Sequence, residues 1–264
     1  MTKRLTNDEY EYLGDMQIII SVASASIDAW HSAPHARTRL RTWVSWNSLA
    51  LMSHHAGTLC VAMKSRQIYS GQAILRILIE QYINLHYIHL TRSYESFVRF
   101  LYHGDVEFIE GIERYRRFTH RVDYDGDFDD DLFDEIRSYR DETIRELKRY
   151  GYPLRKMPDL RTRAELVDRK HGNYALEELY TDWYIIHSID VHGSKDTMIA
   201  MTHAESLDEL MTGYRSKEDT VRLMRIANQL LASALLYVHE KSGLRMVAPP
   251  DHIALIKSIG GGLF

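Results

Sequence analysis

Two sets of polar side chains recur every four residues along otherwise apolar segments, and together they hold the groups that acid–base chemistry on an anion requires. The first is Gln72, Arg76, Glu80 and Asn84 in QIYSGQAILRILIEQYINLHYIHL; the second is Tyr180, Tyr184, Ser188 and His192 in YTDWYIIHSIDVHG. A step of four on an α-helix advances roughly 400°, a drift of about 40°, so each set forms one slowly turning stripe. If the stripes face each other, Arg76 supplies a fixed cation, Glu80 orients a partner and His192 is the proton-transfer group. Ser188 stands one turn before His192 and can hydrogen-bond to it, and the helix C-terminal dipole there favours the imidazolium. Asn84, Tyr184 and His187 are then substrate-binding groups. A structural reading uses the same residues: Arg76 and Glu80 pair with each other or with neighbouring helices, His192 caps carbonyls and the tyrosines fill core. The order Arg before Glu is the weaker one for an ion pair four apart.

The stripes need helices to carry them, and the chain has room for long ones. Residues 35–152 contain no proline, the residue that breaks helix interiors by removing an N–H and clashing with the preceding turn. Thr6 and Glu9 have the spacing of a capping box and open a first helix over about 7–30. Pro34 ends it, and helical spacing resumes over about 38–64, with Leu40, Val44, Leu51, Leu59 and Met63, and over about 67–90. Further helices are predicted over about 96–118, after the acidic loop at 123–131, over about 160–170, over 174–192 and over 216–241. The helix over 67–90 is apolar around most of its circumference, which predicts a central position. No alternating strand pattern appears. The fold class is all-α, a bundle of about seven or eight helices in a single domain spanning 1–264, with a charged helical excursion at about 119–170 and a short tail at 245–264.

Composition narrows the chemistry. The net charge of −4 gives no global nucleic-acid footprint, the start MTKRLTNDEYEYLGD is too acidic for a signal peptide, and no apolar run reaches the roughly 18 residues of a membrane span. A cytoplasmic location without membrane attachment is expected, and Cys60, the only cysteine, reads as a small buried residue. His86 with His89, His54 with His55, and His187 with Asp190 have usable metal-ligand spacings, yet the paired Glu-x-x-His of di-iron bundles is absent, so neither a metal nor a cofactor is predicted. Asp123, Asp125, Asp127, Asp129, Asp131 and Asp134 follow a calcium-loop frame, but Gly126 is fourth where the turn needs glycine sixth, and a solvated acidic loop is the better reading. Arg114 and Arg117, in a basic cluster with Arg116 and Arg121, are positioned to touch phosphate or to form a solvated helix face.

The segment from Arg76 to Tyr87, opening R-x-x-x-E, followed by Ser188-x-x-x-His192-Gly193, resembles a widespread bacterial helical family known only as a domain of unknown function, over about residues 40–240. More remotely, HSIDVH at 187–192 is similar to the R-N-x-x-V-H motif of the HEPN ribonucleases and toxins, with Val191 and His192 in place, His187 where the family has arginine and Ser188 where it has asparagine. That resemblance implies metal-independent RNA cleavage at a dimer interface, with Arg76 substituting in space for the absent arginine. The expectation is a HEPN-like effector of a stress or phage-defence system, acting on RNA and associating with itself or a partner protein of the same system. The competing expectation is a non-catalytic homodimeric binding or scaffold module in which both stripes are polar core.

Overall fold

The computed structural model describes residues 5–33, 40–91, 95–121, 130–149, 151, 157–173, 175–185 and 217–261, and the architecture is all-α, with no strand among them. In chain order the helices are α1 (Asn7–Ser32), α2 (Leu40–Lys64), α3 (Ile68–Tyr87), α4 (Glu95–Arg121), α5 (Asp130–Arg149), α6 (Leu160–His171), α7 (Ala175–Leu179), a π-helical segment (Tyr180–Ile185), α8 (Lys217–Ser242) and α9 (Pro250–Gly260). The acidic loop read at 123–131 lies largely outside the described residues, as do His187, Ser188 and His192. No described helix is long and apolar enough to cross a membrane. The chain forms two compact units, Met1–His86 with Leu160–Phe264, and Tyr87–Asp159.

The first unit is built on apolar faces at helical spacing. α1 buries Leu13, Met16, Ile19, Val22, Ala23 and Trp30, and α8 buries Leu223, Ile226, Ala227, Leu230, Leu231, Ala234 and Leu235. α1 packs on α2, α8 and α9, and α8 packs on α2 and α9. The α8–α9 approach is close enough to exclude a side chain at Gly260, where a Cβ would stand 2.7 Å from the Ser233 backbone nitrogen. α3 is central as its sequence predicts: Leu75, Leu78, Ile79, Tyr82, Ile83 and Leu85 are all buried. α2 buries Val44, Leu49, Met52, Ala56, Leu59 and Met63 on one side, while Leu40 and Leu51 face solvent on the other. Cys60 is buried, and burial pushes its thiol above the ordinary range.

Two polar clusters tie these helices together. At the start of α1 the Thr6 backbone N–H donates to Glu9 Oε2 at 2.7 Å and the Glu9 N–H to Thr6 Oγ1 at 3.4 Å, the predicted capping box. Glu9 is 0% exposed, and its carboxylate also receives both arms of Arg66 at 2.7 and 3.1 Å. Arg66 sits in the α2–α3 turn with φ +60°, a left-handed conformation costing a side-chain-bearing residue roughly 1–2 kcal/mol. The fork onto a buried carboxylate holds it there. At the other end of the unit His239 Nδ1 lies 2.9 Å from the Leu244 carbonyl and Nε2 3.0 Å from Ser26 Oγ. A carbonyl only accepts, so Nδ1 carries the proton and Nε2 accepts from the Ser26 hydroxyl. Trp46 meets this ring edge-on at 5.1 Å and stacks on Trp30 at 5.9 Å.

In the second unit α4 packs on α5. Ser96 and Phe97 are buried, the Thr91 and Ser96 hydroxyls meet at 3.3 Å, and Glu95 pairs with Arg99 one turn on.

Two stability predictions follow from the clusters. Replacing Arg66 by Ala leaves Glu9 buried without its cation and is expected to lower unfolding free energy by about 3 kcal/mol. Arg66→Gly, freed of the φ penalty, is expected to lose about 1 kcal/mol less; urea denaturation of both variants checks the order. Burial chiefly, with the Leu244 hydrogen bond opposing it, lowers the His239 pKa below 6.5. The neutral ring belongs to the folded state, so this contribution is complete above 6.5 and lost as pH falls through the lowered value. Melting temperature measured from neutral pH to about pH 5.5 should fall more steeply for the native chain than for His239→Gln, whose amide cannot take up a proton in this range.

Candidate functional site

The four polar residues of α3 do not share one fate. Gln72 is buried, with an Oε1 that has no hydrogen-bond partner among the described residues. Arg76 and Glu80 are each half-buried. No ion pair joins them; instead Arg76 reaches across to the π-helical segment, where its guanidinium donates to Tyr184 Oη at 3.1 Å and lies 4.7 Å from the ring centroid. Asn84 is buried and accepts a hydrogen bond from Arg163 of α6, itself buried. Two residues before it Tyr82 meets Ser233 of α8, oxygen to oxygen, at 2.7 Å. Burial raises the Tyr82 phenol far above its ordinary value, so it stays protonated.

The partner segment is positioned by a single carboxylate. Asp168, near the end of α6, accepts from the backbone N–H groups of Leu176 at 3.2 Å and Glu177 at 2.8 Å, the orphan donors opening α7. Its own carbonyl takes the N–H groups of Gly172 and Asn173, and Gly172 turns the chain with φ +73°. Burial raises the Asp168 carboxyl above its ordinary value, the two backbone donors opposing the rise. α7 then passes directly into the π-helical turns, whose i→i+5 bonding is rare and concentrates at functional sites. The widened turn lays Tyr180 against Tyr184, ring centroids 5.2 Å apart and planes 18° from parallel. Trp183 points to a second cation, Arg222 of α8, at 4.5 Å. Three aromatic rings and two guanidinium groups thus line one short segment.

Residues 49–209 match a protein family described as a family of unknown function, DUF5677. The chain belongs to this family. The DUF5677 match contains α3, α6, α7 and the π-helical segment, and so every residue of the constellation except Arg222 and Ser233. No curated protein and no solved structure matches the chain at a significant level.

Of the residues singled out in the sequence, the structure brings Arg76 and Tyr184 together and places Asn84 in the interior against Arg163. Glu80 lies one turn from Arg76 without pairing to it. Ser188, His187 and His192 lie outside the described residues. Arg114 and Arg117 belong to the second unit, exposed on α4, each donating Nε to a carbonyl of its own helix, Glu110 at 3.2 Å and Glu113 at 3.3 Å. Arg163, Asp168, Trp183 and Arg222 were not anticipated. Arg163 and Asp168 share the arc of α6 that holds Leu160, Ala164 and Val167, and a cation and a carboxylate among core positions are the signal that would have found them.

A double-mutant cycle tests the cross-helix contact. Arg76→Leu and Tyr184→Phe are each expected to destabilise the chain, with a coupling of about 1 kcal/mol between them by chemical denaturation. Additive losses would show that the contact contributes nothing.

Proposed function

We propose that this DUF5677 protein is a HEPN-like helical effector that cleaves RNA without a metal. The observation that carries the reading is the turning of Arg76 away from Glu80 and onto Tyr184, four residues before Ser188 and eight before His192 in the chain. Tyr184 is a neutral hydrogen-bond partner that orients the guanidinium, and a guanidinium fork matches the geometry of a phosphate. The half-buried rings of Tyr180, Trp183 and Tyr184 add faces on which unpaired bases stack, with arginine beside them, the combination that single-stranded RNA sites use.

In this reading the 2′-hydroxyl of a nucleotide attacks the adjacent phosphorus, forming the 2′-oxygen–phosphorus bond as the bond to the 5′ oxygen breaks. His192 takes the proton from the 2′-hydroxyl and returns a proton to the departing 5′ oxygen, leaving a cyclic phosphate. Arg76 stabilises the charge that builds on the non-bridging oxygens. Ser188 fixes the imidazole, Glu80 orients the attacking group and His187 bears on substrate binding; Asn84, expected from the sequence to bind substrate, is instead buried against Arg163 and serves the packing of α3 on α6.

Purified protein incubated with total RNA in EDTA is expected to yield fragments ending in cyclic phosphate. Arg76→Ala and His192→Ala should each lower the rate by at least about a hundredfold with helical circular dichroism unchanged. Intact RNA from the native chain, or fragments that persist in both variants, overturns the reading.

A further inference from the structure

Residues 42–63 of α2 contain no Asp, Glu, Lys or Arg, in a chain of which 27% is charged. Burial accounts for one side of the helix but not for the other. Leu40, Trp43, Asn47, Leu51, His54, Thr58 and Val61 follow one another at spacings of three and four, which places them within an arc of about 80° running about 32 Å along the axis. Leu40 is 53% exposed, Trp43 44%, Leu51 42% and Val61 64%; His54 and Thr58 are also exposed and Asn47 is half-buried. The spacing is that of a two-helix seam, and no helix among the described residues covers it.

We propose that this face of α2 is a homodimer interface, in which two copies of the helix pair antiparallel about a two-fold axis beside Leu51. Two properties of the face select a second copy of the chain as its occupant. From Trp43 to Val61 it carries no Asp, Glu, Lys or Arg, so a nucleic acid, an anionic membrane or a strongly charged partner finds no fixed counter-charge there. It is also self-complementary in a way a two-fold axis demands of an isologous contact. One axis sets Leu40 against Val61 of the other copy, Trp43 against Thr58, and Asn47 against His54, while Leu51 packs beside the axis itself. Apolar residues meet apolar or amphipathic ones, and the two polar residues meet each other.

The hydrogen bonds inside the helix are consistent with that register. The Asn47 amide nitrogen donates to the Trp43 carbonyl at 2.8 Å, which leaves Oδ1 as an acceptor, and the Thr58 hydroxyl donates to the His54 carbonyl at 3.1 Å. Across the seam a His54 ring N–H has the Asn47 Oδ1 to donate to, and Thr58 offers its methyl group to the Trp43 ring. The pairing needs no RNA and does not rest on catalysis.

Sedimentation equilibrium on the full chain tests it. The native protein is expected at twice the 30.9 kDa of a single chain. Leu51→Lys sets two cations beside the axis and should give the single-chain mass, with circular dichroism and melting temperature unchanged. Leu40→Glu and Val61→Lys should each weaken the dimer by at least about tenfold, and the two together should restore it, because each then faces its opposite across the seam. If Leu51→Lys fails to fold, the charge pair decides alone. A native chain that is single at every concentration, a dimer indifferent to Lys at position 51, or a Leu40→Glu/Val61→Lys chain that does not recover would each overturn the proposal.

Discussion

A polar group taken out of water must find a hydrogen bond, and α3 carries several such groups into the interior at once. Apolar packing pulls helices together without fixing how far one slides along another. Directional bonds do fix it. Asn84 engages Arg163 of α6, Tyr82 engages Ser233 of α8, and Arg76 engages Tyr184 of the π-helical segment. Three neighbours are thereby set in register on one central helix, and the polar stripe that looked like a site in the sequence is also the means by which the surrounding helices are aligned.

The two roles are compatible because the stripe changes character along its length. Toward its C-terminal end it is enclosed, and Asn84 and Arg163 are both buried. In the middle, Arg76 and Glu80 keep contact with solvent, and Arg76 meets a neutral phenol on a backbone of unusual winding. Just before that winding Asp168 fastens the end of α6 to the beginning of α7. Chemistry on a phosphate would draw on the open middle of the stripe, while the closed end holds its geometry.

Much of this was legible in the letters. The capping box at Thr6 and Glu9, the proline-free run, the all-round apolar character of α3 and the two polar stripes all follow from spacing, which is local information, whereas the meeting of Arg76 with Tyr184 was only a condition the sequence could pose. What was not legible depends on contacts between distant segments. The segment from Tyr174 onward reads as one regular helix by spacing alone; nothing in that spacing marks the π-helical winding from Tyr180 or the contacts of Tyr184 with Arg76 and of Trp183 with Arg222. Arg66 looks like an ordinary turn residue until Glu9, 57 positions away, is seen to need a cation. Arg163 and Asp168 sit in a run dense in charge, where two buried members are hidden among exposed ones. Leu40 and Leu51 are the converse: apolar residues that spacing alone cannot assign to the inward or the outward side of α2.

The near-contact of Gly260 with the backbone of α8 completes an enclosure that has a kinetic side. α1, α2 and α9 pack against α8, Tyr82 is bonded into its middle, and Thr220 through Val238 present buried side chains at almost every turn. Solvent can reach the amide hydrogens of that stretch only when the whole unit comes apart, so their exchange with deuterium would report the global unfolding free energy, while the amides on the outer turns of α5 would exchange through local fraying.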